Sequence, residues 1–162
     1  MKEVPLAKGK GVAIIDDCDY NRVSQYKWYK SDRGYVKAGM KINGVFKVVS
    51  IHRFILGLTD PKIEVDHINR SRLDNRRKNL RTCSHVDNSR NITPSGRSKY
   101  LGVCYLKSRG REYIVAQINP SPGIHKHIGT FKTEKDAARA YDYAAKKYFG
   151  EFANLNFKEC SV

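Results

Sequence analysis

The most informative part of this chain is a polar segment near its middle. It reads Val65-Asp66-His67-Ile68-Asn69, then Asp74-Asn75-Arg76-Arg77-Lys78-Asn79-Leu80-Arg81, and then Ser84 to Asn91. The pattern predicts a short strand over residues 64–68, a second strand over 80–82, and a helix that begins at Ser84. A hairpin followed by a helix can bring Asp66 and Asn88 together in one cleft.

The side chains in this cleft are suited to metal-assisted chemistry. Two oxygen ligands, with other positions left for water and phosphate, suit a hard divalent cation such as Mg²⁺, or Mn²⁺. Neighbours on a strand point to opposite faces, so His67 is not equivalent to Asp66 as a ligand. Its imidazole could instead deprotonate an attacking water, because its ordinary pKa lies close to physiological pH. The pattern therefore makes Asp66 and Asn88 candidate metal ligands and His67 a candidate general base.

The same segment resembles the HNH homing endonucleases, in the branch where Asn replaces the last His of the name. The resemblance covers residues 50–92 and rests on Asp66-His67, Asn79 and Asn88. It implies a ββα-metal fold that hydrolyses a DNA phosphodiester with one catalytic cation, and an Asn79 that braces the loop by side-chain to backbone hydrogen bonds. Arg81, or another arginine nearby, could clamp the phosphate. The expected catalytic residues are therefore His67, Asn79 and Arg81.

The charge of the chain favours a polyanionic partner. Its 162 residues include 31 Lys and Arg against 16 Asp and Glu, a formal net charge of +15. A field of this size concentrates nucleic acid around a protein. Basic residues are dense between positions 70 and 99, and we expect Arg76 and Arg77 to contact DNA. The mean hydropathy of -0.61 predicts small cores and much hydrated surface.

Other classes of protein are disfavoured. No apolar run approaches the roughly 18 residues that span a bilayer, and the N-terminus lacks the pattern of a signal peptide. The four cysteines are scattered without a C-x-x-C pair, which predicts reduced thiols and no structural zinc. We expect an intracellular protein of phage or mobile-element type, acting in the cytoplasm of a bacterial or phage-infected host and not secreted.

The first 49 residues predict a small antiparallel β unit. The expected strands are Val12 to Ile15, Trp28 and Tyr29, Gly34 to Ala38, and Val45 to Val49. Asn43-Gly44 is a typical hairpin turn, and a short helix is expected to run from a Ser50 cap to Gly57. Through Val12-Ala13-Ile14-Ile15-Asp16-Asp17 and Tyr26-Lys27-Trp28-Tyr29 the segment looks like the leader that precedes HNH modules in related phage and bacterial proteins. We expect it to buttress the nuclease, and it is a candidate for contact with DNA.

The last third of the chain has a β-β-β-α pattern. The predicted strands are Leu101 to Leu106, Tyr113 to Asn119, and Lys126 to Phe131. The helix that follows is capped by Thr133 with Asp136 and ends at Gly150. Alternation along the second strand directs three side chains at an alanine stripe of the helix. These three are Ile114, Ala116 and Ile118, and the stripe is Ala137, Ala140 and Ala144.

The opposite face of this sheet is polar and predicts a DNA contact. A sheet with amides, imidazoles and basic residues on one face can enter the major groove and can read bases and bind phosphate. The residues expected on this face are Gln117, Asn119, His125 and His127, with Lys107, Arg109 and Arg111 on the adjoining turn.

This third segment resembles the plant-type Apetala-two/ethylene-response-factor DNA-binding domain. The matching landmarks are Tyr100-Leu101-Gly102-Val103, Val115-Ala116-Gln117-Ile118, Ile128-Gly129-Thr130-Phe131, Ala137-Ala138-Arg139-Ala140-Tyr141-Asp142 and Asn154-Leu155-Asn156-Phe157. The family implies a three-stranded antiparallel sheet that lies in the major groove and is backed by one helix. His125 and His127 stand where that family usually has Arg and Trp, so the target of plant relatives does not transfer.

Together these observations predict an α+β protein with several modules. The expected divisions are an N-terminal β unit (1–49), the nuclease module (50–92), a linker (93–98), the DNA-binding domain (99–157) and a tail (158–162). The predicted function is a metal-dependent homing-type DNA endonuclease that acts on double-stranded DNA without a small-molecule cofactor or a membrane. We expect a monomer, with a dimer on DNA as the alternative.

Two other functions fit parts of the sequence. A DNA-binding transcriptional regulator with a degenerate nuclease module is disfavoured, because Asp66, His67, Asn79 and Asn88 are all present. An RNA-binding protein would suit the charge, but the chain has no aromatic pair arranged for base stacking.

Overall fold

The computed structural model describes residues 1–157, so the predicted tail at 158–162 lies outside it. Two compact units divide the chain, the first from Met1 to Asn88 and the second beginning at Ser89. Both mix helices with small antiparallel sheets, which confirms the α+β class in outline. No helix of the described residues is long and apolar enough to cross a bilayer.

The first unit contains seven strands and three short helices. In chain order these are β1 (Lys2–Pro5), β2 (Val12–Ile15), α1 (Asp17–Val23), β3 (Tyr29–Lys30), β4 (Val36–Ile42), β5 (Val45–Ser50), α2 (Ile51–Leu56), β6 (Glu64–His67), β7 (Leu80–Cys83) and α3 (His85–Asn88). They form three antiparallel sheets, ordered β1-β2, β3-β4-β5 and β6-β7. The predicted strand over 12–15, the Asn43-Gly44 hairpin turn and the helix that ends at Gly57 are all present.

Two elements of this unit were not predicted. Strand β1 has a single buried residue and is recognisable only by its pairing with β2. Helix α1 is polar, and only Asp19 and Val23 of its seven residues are buried. A helix with so few buried positions has no apolar period, which is the main signal of a helix in a sequence.

One hydrophobic core joins the N-terminal strands to the central hairpin. It includes Ile15, Trp28 and Ile51 together with Val65 of β6 and Leu80 of β7. The Trp28 indole is fully buried, and its Nε1 donates to the carbonyl of Val23 at 2.7 Å. The first fifty residues and the hairpin are therefore one packed body.

The second unit is a three-stranded meander covered on one face by a helix. Its elements are β8 (Val103–Ser108), β9 (Arg111–Ser121), β10 (Ile124–Phe131) and α4 (Glu134–Phe149). Helix α4 begins at the predicted cap, where Thr133 Oγ1 accepts from the Asp136 N–H at 3.2 Å, and it ends at Gly150.

The predicted face of β9 packs on the helix, but the buried face of the helix is rotated slightly from the predicted alanine stripe. Ala116 and Ile118 are buried and Ile114 is partly buried against α4, as expected. The buried alanines of the helix are Ala137, Ala138, Ala144 and Ala145. Ala140 is only half-buried, so the stripe faces the sheet through pairs of adjacent residues.

The end of the second unit is fastened to its start. The buried carboxylate of Asp142 accepts from the backbone N–H groups of Asn156 (2.8 Å) and Phe157 (2.9 Å), and Asn156 Oδ1 accepts from the N–H of Leu101. Gly102 has a φ of +70°, and a Cβ there would lie 1.9 Å from the Tyr141 ring. Only glycine fits this approach, because it combines a left-handed backbone with contact against the helix.

Candidate active site

The central hairpin presents different chemistry on its two faces. Strands β6 and β7 pair antiparallel, with Asp66 opposite Arg81 and His67 opposite Leu80. Because side chains alternate along a strand, Glu64 and Asp66 share one face while His67 lies on the other. His67 is the last residue of β6, and its carbonyl accepts from the Arg70 N–H at 2.7 Å as the chain turns away.

The loop between the two strands is closed by Asn79. This side chain is 5% exposed; its Oδ1 accepts from the Asn69 N–H at 2.9 Å and its Nδ2 donates to the carbonyl of Asp74 at 2.7 Å. Its own carbonyl accepts from the Ile68 N–H at 2.9 Å. These are side-chain to backbone bonds of the kind expected for Asn79, and they hold the two ends of the loop together.

Strand β2 fastens the same loop from outside. The Ile14 N–H donates to the carbonyl of Leu73 at 2.8 Å, and the Asn75 N–H donates to the carbonyl of Ile14 at 2.7 Å. The N-terminal strands therefore support the residues that surround the hairpin.

Arg76 and Arg77 have internal partners, which does not favour the phosphate contacts expected from the sequence. Arg76 bonds both oxygens of Asp74 at 2.7 and 2.6 Å. Arg77 bonds both oxygens of the buried Asp19 at 2.9 and 2.8 Å. Burial opposes ionisation of Asp19, but the arginines at its side outweigh it and lower the pKa of that carboxyl. The partner of Arg76 lies two residues away, whereas that of Arg77 lies 58 positions away and is not revealed by the run of basic residues.

The buried Asp66 forms an ion pair with the partly buried Arg81. Arg81 Nε and Nη2 donate to Asp66 Oδ2 at 3.0 and 2.7 Å, and the Asp66 residue is 5% exposed. The sequence suggested that Arg81 clamps phosphate; in the structure it orients the carboxylate predicted to bind metal.

Glu64 connects this face of the hairpin to helix α3, and the sequence did not single it out. Its Oε2 accepts from Asn88 Nδ2 at 2.7 Å, and its Oε1 lies 2.8 Å from Nδ1 of the exposed His85. These bonds, that of Asn88 first, lower the pKa of the Glu64 carboxyl. Because Asn88 donates through nitrogen, its amide oxygen is the atom that remains to act as a ligand. The position of Glu64 two residues before Asp66 was the available signal, since such residues share a strand face.

The hydrogen bonds around His67 define its tautomer. His67 is 4% exposed, and its Nε2 lies 3.1 Å from Oδ1 of the fully buried Asn75. The amide of Asn75 is oriented by its Nδ2, which donates to the carbonyl of Arg72 at 3.2 Å. An oxygen acceptor at Nε2 requires that this nitrogen bear the proton, so Nδ1 has the lone pair. Burial lowers the pKa of His67, which favours the neutral imidazole.

A second histidine packs against the first. The His52 ring stands edge-on to that of His67 with 5.2 Å between centroids, and the Tyr35 ring lies 5.7 Å from His52. His52 Nδ1 is the single buried side-chain nitrogen or oxygen without a hydrogen-bond partner in residues 1–157. Burial first, and the neighbouring His67 second, lower the pKa of His52 to about 3. His52 is therefore a packing residue of its helix.

The Glu64 face of the hairpin contains the oxygen donors that the sequence predicts as metal ligands. Within residues 1–157, no group of three or more His, Cys, Asp and Glu side chains is arranged to hold an ion. A site here would use one carboxylate and one amide, Asp66 and Asn88. This set fits Mg²⁺, which commonly keeps several waters and binds through one or two protein oxygens together with substrate phosphate.

The second unit exposes the polar face expected to contact DNA. Gln117 and His127 are exposed cross-strand neighbours, and His125 Nδ1 lies 2.8 Å from Asn119 Oδ1. The basic side chains of the β8–β9 turn are also exposed; they are Lys107, Arg109 and Arg111. Amide and imidazole groups thus form one surface on the side of the sheet away from α4.

The environment of His52 leads to a prediction about stability and pH. The pKa of His52 is about 3 in the folded protein and about 6.5 when unfolded, so between these values only the unfolded chain binds the proton. The stabilisation is complete above pH 6.5 and is lost as the pH falls. We expect the free energy of unfolding, measured by urea titration, to decrease by about 2–3 kcal/mol between pH 7 and 4.5 through this group. The H52Q variant should lack this component.

The matched control is H127Q, which removes an exposed imidazole and should keep the pH dependence of the wild type. An H52Q variant with an unchanged pH dependence would contradict the assignment.

Comparison with known proteins places this site in a family. Residues 51–90 match the HNH endonuclease family. A protein of Acanthamoeba polyphaga mimivirus, named an uncharacterized HNH endonuclease (L560), is 32% identical over 157 residues, 93% of this chain and 78% of that protein. No solved structure matches the chain.

Part of the chain is also similar to two proteins of Arabidopsis thaliana. Dehydration-responsive element-binding protein 2D is 48% identical over 46 residues, 28% of this chain and 22% of that protein. Dehydration-responsive element-binding protein 2A is 50% identical over 44 residues, 26% of this chain and 13% of that protein. The viral relative, in contrast, aligns with nearly the whole chain. The chain therefore belongs to the HNH endonuclease family and is an enzyme that hydrolyses DNA.

Proposed function

We propose that this chain is a Mg²⁺-dependent DNA endonuclease of homing type, in which the first unit cuts and the second unit selects the site. The observation that supports this most directly is the end of strand β6. There Asp66 and His67, adjacent in sequence, lie on opposite faces of the strand; Asp66 is held by the partly buried Arg81 and His67 by the fully buried Asn75. A phosphate at the end of this strand would have a carboxylate on one side and an imidazole on the other.

His67 acts as the general base through Nδ1. Asn75 holds the proton on Nε2, so Nδ1 can accept a proton from a water molecule as its oxygen attacks phosphorus. Burial lowers the pKa of His67, which favours the neutral ring that this role requires. The bond between phosphorus and the 3′-oxygen breaks, and the departing oxygen takes a proton from solvent water, which leaves a 5′-phosphate and a 3′-hydroxyl.

Asp66 and Asn88 bind the metal through oxygen. When bound, Mg²⁺ stabilises the charge that develops on the phosphate and on the departing 3′-oxygen. Arg81 orients Asp66, and Glu64 orients Asn88. Asn79 does not touch the substrate; it positions the end of β6 by closing the loop.

The second unit binds double-stranded DNA as an Apetala-two/ethylene-response-factor type module. Two observations support this role: the polar face of its sheet, and the partial similarity to plant proteins that are named for binding a dehydration-responsive element. Its closing contacts, from Asp142 to Asn156 and Phe157, involve landmarks of that domain.

The catalytic assignment predicts a large effect of H67A on cleavage. Loss of a general base lowers rates by about 10²–10⁴-fold, so we expect H67A to nick or cut plasmid DNA at least about 100-fold more slowly in Mg²⁺. Its affinity for DNA, measured by fluorescence anisotropy in EDTA, should equal that of the wild type. Wild-type cleavage should require Mg²⁺ or Mn²⁺ and stop in EDTA. Full cleavage by H67A would defeat the assignment.

The role of the second unit predicts that amides on its sheet affect site selection. We expect the Q117A/N119A double variant to lose about 1–3 kcal/mol of preference for the target over random duplex, in a competition binding assay. The control is Y143A, which removes a side chain that is 76% exposed on α4. Equal preference in Q117A/N119A and Y143A would show that this face does not read sequence.

A further inference from the structure

The hairpin of β4 and β5 exposes an apolar surface that the core of the first unit does not use. Val45, Phe46 and Val48 are 57%, 68% and 55% exposed, and Ile42 is 39% exposed. β5 is an edge strand, since its sheet is ordered β3-β4-β5. Four exposed, large apolar side chains within seven residues of this hairpin are unusual on a solvated surface and typical of an interaction site.

Both faces of the hairpin tip are apolar. Ala38 and Met40 of β4 are buried in the core, so the pair Ile42–Val45 at the tip extends the core-side face beyond the core. The pairs Lys41–Phe46 and Gly39–Val48 lie on the opposite face. Phe46 lies flat there, because Gly39 has no side chain; a Cβ on Gly39 would be 2.4 Å from Phe46 Cζ. The tip therefore has the form of an apolar wedge.

Positive charge surrounds this wedge. Residues 33–59 contain five Lys and Arg and no Asp or Glu. The hairpin itself contributes Lys37, Lys41 and Lys47, none of which pairs with a carboxylate within residues 1–157. A second copy of the chain would place the same lysines against one another. A polyanion with apolar sugar and base surfaces complements both features, and proteins that insert apolar side chains beside basic ones into the minor groove do this.

The hairpin is also joined directly to the active site. β5 ends at Ser50, the next residue begins α2, and His52 of α2 packs on His67. The six residues of β5 extend about 20 Å at roughly 3.3 Å per residue. That distance corresponds to about six base pairs of duplex at about 3.4 Å each.

We propose that the β4–β5 hairpin is a second DNA-binding element, which places Phe46, Val45 and Val48 in the minor groove and its lysines on the flanking phosphates, up to about six base pairs from the cut. This inference rests on the proposed function, because it assumes that DNA is the substrate at His67. It gives the first unit its own DNA-binding contacts, independent of the sheet of the second unit.

Equilibrium binding to a fluorescein-labelled duplex of random sequence, in EDTA and over a series of salt concentrations, tests this proposal. We expect K41Q/K47Q to reduce the slope of log affinity against log salt by about 2. We expect F46S/V48S to weaken binding roughly tenfold without changing that slope. The matched controls are K8Q/K10Q and V12S, which alter exposed residues elsewhere in the first unit and should bind as the wild type does.

The results distinguish DNA binding by the hairpin from an interface between copies of the chain. Hairpin variants that keep the wild-type melting temperature but bind no more weakly than the controls overturn the proposal. A wild-type dimer in light scattering that F46S/V48S dissociates without loss of DNA affinity also overturns it, and makes the hairpin an interface between copies. Because binding is measured in EDTA, it is independent of cleavage. A wild type that binds through the hairpin but never cuts plasmid in Mg²⁺ would refute the proposed function and leave the hairpin's role intact.

Discussion

The mechanism that we propose depends on how the last two residues of strand β6, Asp66 and His67, are held. Consecutive residues of a strand point their side chains to opposite faces. Asp66 and His67 can therefore act on one phosphate from two sides only if the strand ends there and the loop beyond it is rigid. The buried amide of Asn79 provides that rigidity with two hydrogen bonds to loop backbone. Each buried group left without its partner would cost about 1–3 kcal/mol, which makes this loop an ordered part of the fold.

The sequence predicted the elements whose signals are local. Helix α4, with its Thr133 cap and Gly150 stop, and the Asn43-Gly44 hairpin turn are visible in adjacent residues. Helix α1 was missed because it is polar and is fixed by tertiary contacts such as the Asp19–Arg77 ion pair. At the site, the sequence motif identified Asp66, His67 and Asn88, but it did not reveal which residues surround each of them. Asn75 and His52 meet His67 through folding, and no spacing in the sequence encodes those contacts.

The same limit applies to charge. A basic run suggests DNA contact for every member, yet Arg76 and Arg77 are bonded to carboxylates and stabilise the loop. The sequence does not single out the lysines of the β4–β5 hairpin, because they are spaced four to six residues apart and form no basic run. Tertiary structure decides which basic residues contact a polyanion, because it determines which of them pair with carboxylates. For the first unit, the ion pairs of Arg76 and Arg77 favour the hairpin lysines as the DNA contacts, as we propose.

The account requires one metal ion on the Asp66 face and the base on the other face of the same strand. A crystal structure of the H67A variant with cleavable duplex DNA and Mn²⁺, with the metal located by anomalous scattering, tests this most directly. The account predicts a single anomalous peak in contact with oxygens of Asp66, Asn88 and the target phosphate, with position 67 on the far side of the phosphorus. A peak bound to other residues, or a phosphate with Asp66 and position 67 on the same side, would contradict it.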